Sequence, residues 1–83
     1  MSGLGRSLYE AIGGQRAITA AAHIAAGERL ANPRMSHERW RDIVEQFALW
    51  MCLQVPGQSI EARNVVAERV TDAALKGARQ WLQ

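Results

Sequence analysis

Few side chains in this sequence have the types and spacing that chemistry requires. His23 and His37 lie fourteen positions apart, and no second cysteine or set of carboxylates stands at the spacing of a zinc site. Ser36 and His37 are adjacent, but a nucleophile and its base need a third, orienting group, which neighbours at a helix start do not supply. We therefore expect no catalytic residue, no metal ion and no cofactor.

The eight acidic residues add no candidate for acid–base catalysis. Most fall on predicted solvent faces beside arginine or lysine, and none falls in an apolar stripe, where a buried carboxyl could act as a general acid or base. Gly13-Gly14 is too short for a phosphate-binding loop and follows no predicted strand. The residues thus predict a protein that is not an enzyme.

Positive charge is modest, with ten basic and eight acidic side chains and a net charge of +2. The stretch 32–41 holds Arg34, Arg39 and Arg41, which could contact nucleic acid or another anionic partner. A dedicated phosphate binder concentrates its charge on one face, whereas Arg39 and Arg41 point to different faces of the predicted helix. Arg41 can also pair with Glu45 at i, i+4, so a solvated helix start is favoured over a binding site.

The compartment is inferred from the cysteine count and the apolar runs. Cys52 is the only cysteine, and in the apolar run 47–53 a buried thiol in a reducing compartment is expected. No charged stretch precedes an apolar one near Met1, as a secretory signal would require. A membrane span needs about 20 apolar residues, and the longest run has seven. We expect a cytoplasmic protein without a membrane segment.

Four helices and no strand are predicted to position these residues. A short helix at about 4–12 carries Leu4, Leu8 and Ile12 on one side and ends at Gly13-Gly14, because two successive glycines cost about 2 kcal/mol of helix propensity. A second helix at about 15–31 ends at Asn32-Pro33, since the residue before proline disfavours the α region.

Ser36 and Ser59 are good N-caps for a third helix at about 36–54 and a fourth at about 59–82. No segment alternates with the period of a strand. The predicted fold is all-α, a single domain over 1–83 in which three main helices form a small bundle behind the short first one. The apolar stripe of the third helix is predicted to be Trp40, Ile43, Val44, Phe47, Trp50, Met51 and Val55. That of the fourth helix is predicted to be Ala62, Val66, Val70, Ala73, Ala74, Gly77 and Trp81.

The run 47–53 is the strongest indication of a contact surface. Seven consecutive apolar residues point in every direction around a helix, whereas a surface helix needs one apolar stripe. Either the run is a central helix wrapped by its neighbours, or Leu49, Leu53 and Trp50 stay exposed for a partner. Both interpretations carry equal weight at this point.

Two further features could serve contact. Small residues line the second helix at Ala17, Ala20, Ala21, Ala22, Ala25, Ala26 and Gly27, and packing against aromatic residues of the same chain is favoured over a groove for a foreign helix.

Trp81 lies in a segment that would fray unless tied down. It is predicted to dock on its own domain, with burial against a second subunit as the alternative.

Residues 7–35 resemble the N-terminal part of truncated haemoglobins. The resemblance rests on Ser7 to Gly14, on Ala17-Ile18 and on Leu30 to Met35, where a short helix, a Gly-Gly break and a longer helix ending near a proline follow in the family's order. Ala25-Ala26 stand where the family has a haem-lining Phe-Tyr pair, and the second half of the chain has no histidine for a proximal ligand. The resemblance implies a helical scaffold that has lost haem.

Binding functions of two classes remain. The first is a non-enzymatic protein-binding module, a small regulator or inhibitor of the kind that phages encode, which docks on a larger host protein through Trp50, Leu49, Leu53 and Trp81. The alternative is a homodimeric nucleic-acid-binding transcriptional regulator that uses Arg34, Arg39 and Arg41. A helix-turn-helix form of the alternative would place its turn at Ala25-Ala26-Gly27.

Overall fold

The computed structural model describes residues 5–83, and this part of the chain forms four α-helices and no strand. Helix α1 spans Arg6–Ala11, α2 spans Gln15–Ala31, α3 spans His37–Leu53 and α4 spans Ile60–Trp81. The predicted all-α bundle of three main helices behind a short one is confirmed. Leu4, where the first helix was predicted to begin, lies outside the described residues.

Serine side chains cap the beginnings of α3 and α4, as predicted. Ser36 Oγ accepts a hydrogen bond from the Arg39 N–H at 3.1 Å, and Ser59 Oγ accepts one from the Ala62 N–H at 3.0 Å. Each bond satisfies a backbone donor that the helix leaves without an internal partner. A cap of this kind stabilises its helix by about 1 kcal/mol.

Glycines allow α1 to turn back and approach α4 closely. Gly13 and Gly14 have φ angles of 116° and 56°, a region in which side-chain-bearing residues are strained. At the other end of α1, Gly5 has φ 80°, and a Cβ added there would lie 2.7 Å from Val66 Cγ2 of α4. Leu8, between these glycines, is fully buried.

The core is built largely from small side chains around α4, which packs against each of the other three helices. Of the sixteen apolar side chains buried among the described residues, nine are alanines. Gly77 of α4 lies close enough to α2 that an added Cβ would be 3.7 Å from Ala22 Cβ. Ala17, Ala21, Ala22 and Ala25 of the small-residue face of α2 are therefore buried in the core, whereas Gly27 stays exposed. The Trp40 indole N–H of α3 donates to the Ala25 carbonyl at 2.7 Å.

The apolar stripes differ from the predicted ones, and the difference concerns the tryptophans. On α3 the fully or nearly fully buried residues are Trp40, Val44, Ala48 and Cys52, each four positions apart. A helix advances about 100° per residue, so Trp50 lies about 200° from both Ala48 and Cys52 and points away from the core. On α4, Thr71 and Leu75 are buried, whereas Trp81, predicted in the stripe, is half exposed. An alanine-rich core has room for few bulky rings. The spacing of apolar residues does not predict which tryptophans are buried.

Three contacts fix the packing order of the main helices. The Trp40–Ala25 hydrogen bond joins α3 to α2, and Arg41 of α3 binds Asp72 of α4 at 2.6 Å. Arg63 Nη2 near the start of α4 donates to the Val55 carbonyl, just after α3, at 3.1 Å. None of the helices in residues 5–83 combines the length and the apolar character that a membrane span requires.

Candidate functional site

The apolar run 47–53 divides between core and surface. Ala48 and Cys52 are completely buried, and Leu49 is partly buried against the core. Trp50 and Leu53 are 56% and 55% exposed. Part of the run is thus a central helix wrapped by its neighbours, and part is an exposed surface. Of the three residues proposed for a partner, Trp50 and Leu53 are exposed and Leu49 is not.

Trp50 and Leu53 are neighbours on one side of α3, because residues three apart on a helix lie side by side. The Trp50 ring stacks on Phe47 with centroids 6.1 Å apart, which limits its rotation. Ile60, the first residue of α4, is 74% exposed at the same end of the bundle, where Arg63 ties α4 to the end of α3. We call Trp50, Leu53 and Ile60 the α3-end surface.

Ile60 was missed in the sequence analysis, although a signal was present. Residues 46–60 contain no charged side chain, whereas charged residues make up 22% of the chain. This segment includes the end of α3 and the start of α4, which lie at the same end of the bundle. Attention to charge in addition to periodicity would have included Ile60.

Trp81 does not belong to the α3-end surface. Its ring packs on His23 of α2 with centroids 4.6 Å apart, and about half of the residue remains exposed. The α3-end surface lies beside Arg63, which is eighteen residues before Trp81, a distance of about 27 Å along a helix. The structure therefore does not bring Trp81 together with Trp50 and Leu53, and one small partner surface cannot contain all of them.

The three candidate arginines for an anionic partner are differently engaged. Arg41 binds Asp72 at 2.6 Å and approaches Glu45 at 3.9 Å, and its hydrogen bond to Asp72 raises the pKa of the guanidinium. Arg39 pairs with Asp42 at 3.5 Å, while Arg34 is exposed on the turn between α2 and α3. Carboxylates thus offset two of the three positive charges. Helix α2 also continues through Ala25-Ala26-Gly27, so the turn of a helix-turn-helix is not formed there.

The groups considered for chemistry are held in structural roles. Ser36 Oγ caps α3, and the His37 ring meets Trp40 edge-on, with centroids 6.1 Å apart. Burial raises the pKa of the Cys52 thiol, with the Arg63 charge acting in the opposite direction. Across residues 5–83, no three histidine, cysteine or acidic side chains come together as a metal site requires.

The chain matches no protein-family model, no curated protein and no solved structure. The resemblance of residues 7–35 to truncated haemoglobins accordingly stays a prediction.

Proposed function

We propose that this chain is a non-enzymatic protein-binding module, a small regulator or inhibitor that docks on a larger protein through the α3-end surface. The observation that carries the proposal is the adjacent exposure of Trp50 and Leu53, each more than half accessible. Tryptophan is strongly enriched among the residues that dominate binding energy at protein interfaces. The Phe47 ring packs beside the Trp50 ring, a contact that reduces the side-chain entropy lost on binding.

The surroundings of this surface match an interface in composition. The centres of protein interfaces are depleted in charged residues, and residues 46–60 have none. Exposed Gln54 lies beside Trp50, and its side-chain amide donates to the Trp50 carbonyl at 3.2 Å. An apolar centre, with Gln54, Glu61 and Arg63 at its edge, favours a partner that presents an apolar pocket or helix face.

A second, weaker point concerns location. The buried, free thiol of Cys52 suits a reducing compartment, and we propose that the protein acts in the cytoplasm.

Capture from lysate of the native host, with matched variants, tests the proposed function. The tagged chain is compared with a Trp50→Gln/Leu53→Gln double variant and with Leu30→Gln, which changes a 70%-exposed leucine at the far end of α2. We expect the tagged chain to capture one protein in near-stoichiometric amount. The double variant should capture at least about tenfold less of it, and Leu30→Gln should capture the same amount. Circular dichroism confirms that all three chains are equally helical.

Two results contradict the proposal. Capture that is the same with the double variant places the partner on another surface. No captured protein, together with a dimer in light scattering that the double variant dissociates, identifies the surface as a contact between two copies of this chain.

The alternative, a homodimeric nucleic-acid-binding transcriptional regulator using Arg34, Arg39 and Arg41, draws less support. Arg39 and Arg41 pair with carboxylates, which a phosphate would have to displace. Nucleic-acid binding would weaken steeply with salt, because contacts to phosphates release counterions. Gel shifts with duplex and single-stranded DNA at low salt measure it directly.

A further inference from the structure

A cluster of nitrogen-bearing side chains surrounds Trp40 near the beginning of α3. The guanidinium carbons of Arg29 and Arg79 lie 4.7 Å and 5.8 Å from the centroid of the Trp40 ring, and the His37 ring meets it edge-on. With Leu82 and Gln83, these four residues line an open cavity of about 430 Å³. That volume lies in the range of about 300–1,000 Å³ typical of small-molecule sites.

Hydrogen bonds to backbone carbonyls hold Trp40 and Arg29 of the cavity in place. Trp40 is 3% exposed, and its indole N–H donates to the Ala25 carbonyl. Arg29 Nη1 donates to the Met35 carbonyl at 2.6 Å and to the Pro33 carbonyl at 3.4 Å, so the turn between α2 and α3 orients its guanidinium. The remaining donors of Arg29 stay available, because a guanidinium has five N–H groups.

The two arginines of this cavity form no ion pair with an aspartate or a glutamate of residues 5–83. Arg6, Arg39 and Arg41 each form an ion pair, but within residues 5–83 neither Arg29 nor Arg79 forms one with a carboxylate. No aspartate or glutamate lines the cavity, and the one carboxylate among its lining residues is the terminal group of Gln83. His37 is the first residue of α3, whose partial positive charge lies beside the cavity, while Arg29 and Arg79 lie in the last turns of α2 and α4 and offset the partial negative charge of those helix ends.

We infer that this cavity binds a small molecule that carries a phosphate group. Arginine guanidiniums recognise phosphate with paired, charge-assisted hydrogen bonds, and both Arg29 and Arg79 line this cavity. Leu82 supplies an apolar wall for the rest of the molecule. The cavity is separate from the α3-end surface, since Trp40 and Trp50 are ten residues, or about 15 Å, apart along α3.

Nuclear magnetic resonance titration tests this inference. Phenyl phosphate and inorganic phosphate are added to the ¹⁵N-labelled chain at ionic strength held constant with sodium chloride. We expect saturable shifts of the Trp40 indole N–H and of the Arg29 and Arg79 Nε–H signals, with the Trp50 indole N–H unchanged. Phenyl phosphate is expected to bind more tightly than inorganic phosphate because of its contact with Leu82.

Two charge-matched variants decide whether the cavity is the site. Arg79→Gln removes an exposed cation of the cavity and is expected to weaken phenyl phosphate binding at least about tenfold. Arg34→Gln removes one exposed charge nearby and is expected to change affinity less than about twofold, which excludes a general charge effect.

Four outcomes overturn the inference. They are shifts that do not saturate, shifts that sodium chloride reproduces, equal weakening by the two variants, and binding of an acidic peptide at the cavity in the absence of phosphate binding. The last would assign the arginines to a protein carboxylate.

Discussion

Replacing Trp40 by phenylalanine tests the orientation of α3. The structure places Trp40 in the core with its indole N–H on the Ala25 carbonyl, while Trp50 on the same helix points outward. Trp40→Phe keeps an aromatic ring but removes the donor and part of the ring. Trp50→Phe makes the same chemical change at an exposed position, so the pair separates location from composition.

The expected destabilisation has two sources, the missing hydrogen bond and the space left by the smaller ring. A buried hydrogen bond contributes about 0.5–1.5 kcal/mol, and the volume that phenylalanine leaves unfilled adds about 1–2 kcal/mol. Trp40→Phe should therefore lower the free energy of unfolding by about 2–3 kcal/mol. In a domain of this size, 1 kcal/mol corresponds to about 4–8 °C, so the melting temperature should fall by at least about 8 °C.

Urea unfolding followed by circular dichroism measures both variants. Trp50→Phe, with more than half of the residue exposed, should change the free energy of unfolding by less than about 0.5 kcal/mol. An equal or larger loss of stability for Trp50→Phe than for Trp40→Phe would refute the orientation of α3. It would also remove the α3-end surface, because Trp50 would then be a core residue.

Two further predictions concern polar groups. Asp72→Asn removes the carboxylate that joins Arg41 to α4, so it should lower the free energy of unfolding by about 0.5–1 kcal/mol at low salt and by less at 1 M salt. Asp42→Asn, in a more exposed ion pair, should lower it less. An equal loss for the two variants in urea unfolding would contradict this role of Asp72. Because burial raises the pKa of the Cys52 thiol, the native state keeps that proton after the unfolded thiol has ionised, so stability should fall as pH rises above about 8.5. Urea midpoints at neutral and alkaline pH measure this loss of stability, and the loss should be smaller in Cys52→Ala. An equal loss at alkaline pH in Cys52→Ala and in the unchanged protein would exclude the thiol as its source.

The helices were predictable because their signals are local. Gly13-Gly14, Asn32-Pro33 and the capping serines Ser36 and Ser59 act through backbone conformation and hydrogen bonds within a few residues. Such effects depend little on the rest of the molecule. The boundaries therefore agree within a residue or two for the three main helices.

The candidate surfaces were predictable only in part. Trp50 and Leu53 were identified from the length of the apolar run, and both are exposed. Leu49 is partly buried because it packs against the core, and Trp81 lies far along α4 on His23. Whether a side chain in a continuous apolar run faces inward depends on how closely its neighbours approach, which hydrophobicity does not encode.

Local sequence signals determined the all-α class and the helix boundaries, and the uncharged segment 46–60 is visible in the sequence itself. Only the packing of the helices decided that Trp40 is buried and Trp50 exposed, that Asp72 pairs with Arg41, and that Arg29 and Arg79 meet at one ring. The physical reason is range. Caps and breakers act within one turn of helix, whereas these contacts join residues 11 to 39 positions apart, and the packing of the alanine-rich core sets the distances between them.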